Sequence, residues 1–328
     1  MCTALSLVAR DHYFGRTLDL ECSLGEDVII TPRRFPLSFR FLGGIKHHLA
    51  FIGAGVVRNG RPLYYDAVNE AGLGMAALNF PGCACYRPFS AGERNAASFE
   101  LIPWVLGQCR TAQEAERLLE GVRICDAAFS SELPPSPLHW MISAQGESIV
   151  VESMADGLHV HDNPIGVLTN NPSFPMQLHA LSDYRRLSPS QPENQFAPTL
   201  DLPAYSNGMG ALGLPGDWSS ASRFVRAAFV SANAQCGNTQ AACVRQFFHM
   251  LAAVAMPRGC VLIDGKPEIT VYSACCNADT GVYAYTTYEN SRITAVDMHR
   301  ENLDADALIV YPLAEERSLF LQNEGSRG

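Results

Sequence analysis

The sequence predicts an α+β protein whose antiparallel strands fall into two groups with helices between them. Three observations carry this. Short apolar runs bounded by turn residues dominate both ends of the chain, helical periodicity appears in separate segments between them, and no internal repeat or linker splits the 328 residues. Such a pattern suits two stacked antiparallel sheets covered by helices on both outer faces. Other α+β layouts fit the same pattern.

In order along the chain, Leu5, Leu7 and Val8 read as a buried strand, and residues 13–20 as a second strand returning beside it. Residues 9–12 are polar and turn-like. Such a hairpin carries Arg16 and Asp19 back toward Cys2 and ties the terminus into a sheet. Residues 96–108 carry apolar Phe99, Ile102, Pro103, Val105 and Leu106, the pattern of a helix begun or interrupted near Pro103. Thr111-Ala112-Gln113-Glu114 is a capping box that opens a short helix bearing Ala115, Leu118 and Leu119. Residues 139–143 and 148–153 flank residues 144–147 as a hairpin, and residues 158–161 and 165–169 are expected to continue that meander. A stretch rich in Pro, Asn, Ser and Gln over residues 188–216 reads as a long excursion. Residues 223–230 and 239–255 look helical, the second with Cys243, Phe247, Leu251 and Val254 on one apolar stripe that core packing explains. Residues 269–274 and 282–287 form a hairpin, with 293–297 and 308–311 as closing strands. The whole chain, 1–328, is expected to form one domain.

Composition narrows the function. Hydrophobic residues are 47% and charged ones 17%, enough for a large core and against disorder. A formal net charge of −9 without a Lys/Arg run argues against a nucleic-acid partner. No signal-peptide pattern or apolar run of membrane-spanning length is present, so a soluble, cytoplasmic protein is expected. The eleven cysteines then read as reduced thiols. Neither Cys83-Ala84-Cys85 nor Cys275-Cys276 has the spacing of zinc ligands, and His47-His48 lacks matching partners, so no metal is called for.

Cys2 is the residue that carries chemistry. Once Met1 is removed, its thiol and a free α-amine share one residue. Their ordinary pKa values, ~8.5 and ~8, make proton transfer between them inexpensive, and a nearby cation such as Arg16 favours the thiolate.

Cys2 also belongs to a series of motifs that includes Gly15-Arg16 with Asp19, Asn69-Glu70-Ala71-Gly72-Leu73-Gly74, Leu78-Asn79-Phe80-Pro81, Leu138-His139-Trp140-Met141-Ile142-Ser143, Gly166-Val167-Leu168-Thr169-Asn170, Leu214-Pro215-Gly216-Asp217, Ala221-Ser222-Arg223-Phe224 and Thr287-Tyr288-Glu289-Asn290. Together and in this order they resemble the choloylglycine hydrolases, the bile salt hydrolases and penicillin V acylases among the N-terminal nucleophile hydrolases. The resemblance implies the αββα sandwich. It also implies Cys2 as nucleophile with its α-amine as base, and Asn170 and Asn79 as oxyanion donors. Arg16 and Arg223 supply positive potential, Asp19 orients the α-amine, and no cofactor is implied.

Asn79 matches the bile salt branch, where penicillin V acylases tend to carry Tyr, so hydrolysis of glycine- and taurine-conjugated bile salts is expected, with penicillin V acylase as the alternative. The acyl pocket must then be apolar and steroid-sized, with residues 57–63 and 128–133 as walls and Phe129 and Leu133 as contacts. The family suggests a homotetramer. An inactive binder of amphipathic carboxylates and a redox or metal protein remain open.

Overall fold

The computed structural model describes residues 1–315, so the domain expected over residues 1–328 runs past the described residues at 316–328. Fourteen strands make two large sheets. They are β1 (Cys2–Val8), β2 (His12–Leu20), β3 (Asp27–Thr31), β4 (Phe51–Arg58), β5 (Arg61–Asn69), β6 (Gly74–Asn79), β7 (Leu138–Ala144), β8 (Glu147–Met154), β9 (Gly157–Asp162), β10 (Val167–Leu168), β11 (Ile269–Asn277), β12 (Val282–Thr287), β13 (Thr294–Asp297) and β14 (Ile309–Pro312). The first sheet runs β10-β1-β2-β11-β12-β13 and the second β9-β8-β7-β6-β5-β4-β3-β14. Neighbours in both are antiparallel.

Side-chain alternation explains the stacking. Val28, Ile30, Met141 and Val150 pack with Phe14 and Tyr272 of the first sheet, while their neighbours Ile29, Trp140, Ile142, Ile149 and Val151 pack on the opposite face. That outer face is covered by α1 (Leu101–Leu106) and α2 (Ala112–Leu119). A seven-residue helix, α3 (Phe174–Ala180), follows β10. On the far side of the first sheet, α4 (Ser220–Asn233) lies on β1 and β10, and α5 (Gln240–Ala252) on β2 and β11. The predicted stripe of Cys243, Phe247, Leu251 and Val254 is wholly buried there. The result is the four-layer αββα sandwich.

Several boundaries differ from expectation for local reasons. Residues 96–108 begin as strand Arg94–Ala97 and a 3₁₀ turn, Ser98–Glu100, before α1. Pro103 thus sits in the first helical turn, where a missing N–H costs nothing. Thr111 caps α2 through its hydroxyl, which accepts from the Glu114 N–H at 3.1 Å. The returning half of the capping box is displaced, because the Glu114 carboxylate takes the Arg110 N–H at 2.6 Å. The β7–β8 turn is tighter than the four residues expected, with only Gln145 and Gly146 between the strands, both at positive φ.

The largest correction concerns residues 165–169. They do not continue the β7–β9 meander; β10 crosses to the first sheet and pairs with β1, Ala4 opposite Leu168. Gly166 makes this possible. It stands at φ +63°, and a Cβ there would lie 2.9 Å from the Ser6 carbonyl oxygen, while that same approach lets the Ser6 N–H reach the Gly166 carbonyl at 2.8 Å. The closing strands likewise divide: β13 edges the first sheet and β14 the second. Residues 188–216 form the expected excursion, with one 3₁₀ turn at Met209–Ala211.

Candidate active site

Cys2 opens β1 and is buried. The hairpin sets Cys2 opposite Leu18 and Ala4 opposite Arg16. β11 then pairs with the other edge of β2, and its register slips between Thr270 and Tyr272, beside Asp19. A bulge of that kind re-aims side chains next to a site. Thr270 Oγ1 donates to Asp19 Oδ1 at 2.6 Å and Thr17 Oγ1 to Oδ2 at 3.2 Å, so the buried carboxylate is held from both sides.

The β10 crossover delivers Asn170 to the start of β1. Its Oδ1 accepts from the Cys2 N–H at 3.0 Å and from Arg223 Nη2 at 2.6 Å, and its Nδ2 donates to the Asn79 carbonyl at 2.7 Å. Arg223, from the first turns of α4, also donates to the Cys2 carbonyl at 2.5 Å, to Thr3 Oγ1 at 2.7 Å and to the Trp218 carbonyl at 3.1 Å. One guanidinium therefore ties together the Cys2 backbone, the next residue and the asparagine. Gln177 of α3 secures the Asn170 segment from behind through the Asn170 and Pro172 carbonyls.

Arg16 is equally buried. It donates through Nη1 to the Ala77 carbonyl at 2.5 Å and the Tyr65 carbonyl at 2.9 Å, and through Nε to the Thr17 carbonyl at 3.1 Å. Its Nη2 has no partner among the described residues. Burial opposes its charge, but Cys2, Tyr272, Asp66 and Asp19 outweigh it and hold Arg16 above the ordinary guanidinium value. Arg223 goes the other way: burial lowers it, against the pull of Asp19, Cys2 and Glu268. For Asp19, burial raises the carboxyl above its usual range, against Arg223, the Met1 ammonium, Thr270 and Arg16.

Met1 occupies the approach to this centre. Its ammonium pairs with the buried Glu268 carboxylate and donates to the Asp19 carbonyl at 2.7 Å. With Met1 attached, the Cys2 nitrogen is an amide and its single N–H goes to Asn170, not to Asp19.

A cavity of about 440 Å³ opens from Cys2, Arg16, Asp19 and Asn79. Apolar residues from several elements line it, including Leu18, Leu20, Val56, Ile102, Trp140 and the run Pro134-Pro135. Phe129 and Leu133 are both on its wall, joined by an N–H to carbonyl bond of 2.9 Å, and Phe129 meets Phe99 edge-to-face at 5.3 Å. Of residues 57–63, Arg58 and Leu63 line it. The Asn79 side chain is exposed at the rim and has no hydrogen-bond partner among the described residues. Cys275 and Cys276 are fully buried strand residues of β11, within the core. Every cysteine among the described residues is a free thiol.

Sequence reading missed the groups that hold the named residues. Thr17 could have been found, since it sits two residues before Asp19 on the same strand face. Thr270, Gln177 and Glu268 could not, because only tertiary contact brings them to Asp19, Asn170 and Met1. The same holds for Asp66, whose carboxylate bridges the sheets by accepting from Tyr272 Oη at 2.6 Å and Tyr283 Oη at 2.8 Å, behind Arg16.

A cysteine opening the first strand of an αββα sandwich, beside buried arginines and at the mouth of an apolar cavity, defines an N-terminal nucleophile hydrolase. Residues 2–311 match the linear amide C–N hydrolases of the choloylglycine hydrolase family, and the chain belongs to that family. It is 49% identical to the bile salt hydrolase/transferase of Lactiplantibacillus plantarum over 98% of this chain and 100% of the relative. The conjugated bile acid hydrolase of Clostridium perfringens, solved as a mutant, superposes with a TM-score of 0.91 at 36% identity, covering 98% of this chain and 100% of that one. A penicillin V acylase from Agrobacterium tumefaciens shares the fold, with a TM-score of 0.76 at 19% identity over 96% of this chain and 92% of that one.

Proposed function

We propose that this protein hydrolyses the amide bond of glycine- and taurine-conjugated bile salts, with Cys2 as nucleophile once Met1 has been removed. The observation that carries the reading is the position of Cys2, between the Arg223–Asn170 cluster on one side and the apolar 440 Å³ cavity on the other. A steroid acyl group suits such a cavity, and the small polar amino acid suits its open, polar mouth.

The Cys2 thiol passes its proton to its own α-amine, and the sulfur attacks the amide carbon. A tetrahedral oxyanion forms, which Asn170 and Asn79 stabilise as donors. The C–N bond then breaks, the α-ammonium returns a proton to the departing amine, and water hydrolyses the thioester to free bile acid. Arg16 favours the thiolate, Arg223 fixes Asn170 and the Cys2 carbonyl, and Asp19 answers the α-ammonium's charge. Phe129 and Leu133 contact the steroid. Met1 removal turns the Cys2 amide nitrogen into an amine whose lone pair is free to take the thiol's proton, while one of its N–H groups can still bond Asn170. A homotetramer located in the cytoplasm completes the proposal, and no membrane-length apolar helix exists among the described residues.

Bile salts are preferred over penicillin V on two grounds: the relatives' names and the Asn at position 79. Quantifying free glycine and taurine from a panel of conjugates, beside phenoxyacetate from penicillin V, tests this. Preferential release from the conjugates is expected. A kcat/KM greater for penicillin V would move the chain to the acylase branch.

A further inference from the structure

Glu268 is a buried carboxylate to which the reaction above gives no task. It lies just before β11, fully enclosed. Its one charged hydrogen-bond partner is the Met1 ammonium, through Oε1, and its Oε2 is buried with no partner among the described residues. Burial pushes its carboxyl up, against the Met1 ammonium and Arg223, with Asp19 adding to the rise. A buried carboxylate left without a counter-charge is expensive. When Met1 departs, the compensating ammonium does not vanish; it moves one residue along the backbone to the Cys2 nitrogen, about 3.3–3.6 Å away in extended chain.

We infer that Glu268 is a positioning residue for the amide-cleavage reaction, pairing first with the Met1 ammonium and, after Met1 is lost, with the Cys2 α-ammonium across the space Met1 occupied. The inference rests on the proposed role of Cys2. Its consequence is that Glu268 keeps the Cys2 amine a stronger base, able to hold the thiol's proton and deliver it to the departing amine. Among the described residues, the charged groups facing this point are few. Asp19 and Arg16 come from β2, Arg223 from α4, the thiol from β1, and Glu268 from the segment entering β11. Asp19 is already bonded through both carboxylate oxygens to Thr270 and Thr17, whereas Glu268 Oε2 is uncommitted. A water in the vacated ammonium position would have the Glu268 carboxylate and the Asp19 carbonyl as acceptors, the two groups that Met1 uses.

Removing this negative charge lowers the pKa of both the amine and the thiol, so the sign of the effect does not depend on which group loses its proton first. The test uses Met1-free protein, verified by intact mass, as wild type, Glu268→Gln and Glu268→Asp. Alkylation of Cys2 by iodoacetamide is followed against pH through the mass of the N-terminal peptide, a readout independent of any bile salt. Glu268→Gln should move the inflection to lower pH by on the order of one unit, and Glu268→Asp, which keeps the charge, should stay with wild type. An unmoved or raised inflection in Glu268→Gln would overturn the inference. If the Gln variant does not fold, an Asp variant displaced by a full unit overturns it equally. A shifted alkylation curve in a protein that cleaves no conjugate would leave the role of Glu268 standing and remove the bile salt assignment.

Discussion

Replacing Arg223 with Met tests whether the buried guanidinium organises the site or merely holds the fold. The substitution keeps most of the volume but abolishes four donated hydrogen bonds, to the carbonyls of Cys2 and Trp218, to Thr3 Oγ1 and to Asn170 Oδ1. It also strips Asp19 of the largest charge opposing its burial. Breaking one partner out of a buried charged cluster costs roughly 3–5 kcal/mol. At about 2 °C per kcal/mol for a chain this long, Tm should fall by about 6–10 °C. Because Asn170 then loses one of the two donors that fix its Oδ1, kcat should fall about 10²- to 10³-fold, the usual consequence of disabling one oxyanion donor.

Arg226, one turn further along α4, is the matched control. It is nearly as buried and donates to the carbonyls of Ala253, Pro215 and Asp217, but touches neither Cys2 nor Asn170. Arg226→Met should lower Tm by a comparable amount and leave kcat/KM within about threefold for the folded fraction. Calorimetry and conjugate hydrolysis below both transitions separate the two. Equal activity losses in the two variants, or Arg223→Met retaining more than a tenth of wild-type kcat, would refute the organising role.

Asn79→Tyr should lower kcat/KM for conjugated bile salts at least ~10-fold by misplacing a donor and narrowing the mouth, while penicillin V turnover falls less or rises, since a phenoxy ring can stack on Tyr; equal losses on both substrates would make Asn79 catalytic without being selective. Phe129→Ala, which also leaves Phe99 without its edge-to-face partner at 5.3 Å, should raise KM for steroid conjugates about tenfold with kcat changed less than threefold, and initial-rate kinetics over a substrate series read the split. Asp217 caps the approach to α4 by accepting from the Ser219 N–H at 2.9 Å and Ser222 Oγ at 2.6 Å, which pulls its carboxyl down to about 2. A depressed carboxyl contributes stability that is fully present above its unfolded value of ~3.9. That contribution is lost as pH falls through about 2, so the Tm curves of wild type and Asp217→Asn should differ at neutral pH and converge in acid.

Strand pairs joined by short turns were legible because the residues that make them are contiguous. The hairpin that sets Arg16 near Cys2 and the α5 stripe were both read from spacing alone. β10 was not. Val167 and Leu168 look like any apolar pair following β9, and only the left-handed Gly166, accommodating the Ser6 carbonyl, sends them to β1. That crossover is what carries Asn170 to the Cys2 nitrogen, so the residue could be named from its motif while its route remained hidden. The same limit applies to the partners Thr270 and Glu268, more than 245 residues from the carboxylate and the terminus they meet. Their spacing from Cys2 carries no periodicity. A buried ion pair is a tertiary fact, written in burial and distance and not in local pattern.

The measurement that tests the central claim most directly is release of free glycine and taurine from conjugated bile salts by Met1-free wild type and by Cys2→Ala, with both proteins shown to share one Tm. The thiol is the only group the substitution removes from the reacting centre, and nothing else there can form the thioester. Wild type should release both amino acids, and Cys2→Ala should show no release above the uncatalysed background. Hydrolysis by Cys2→Ala at even a hundredth of the wild-type rate would contradict nucleophilic catalysis by Cys2.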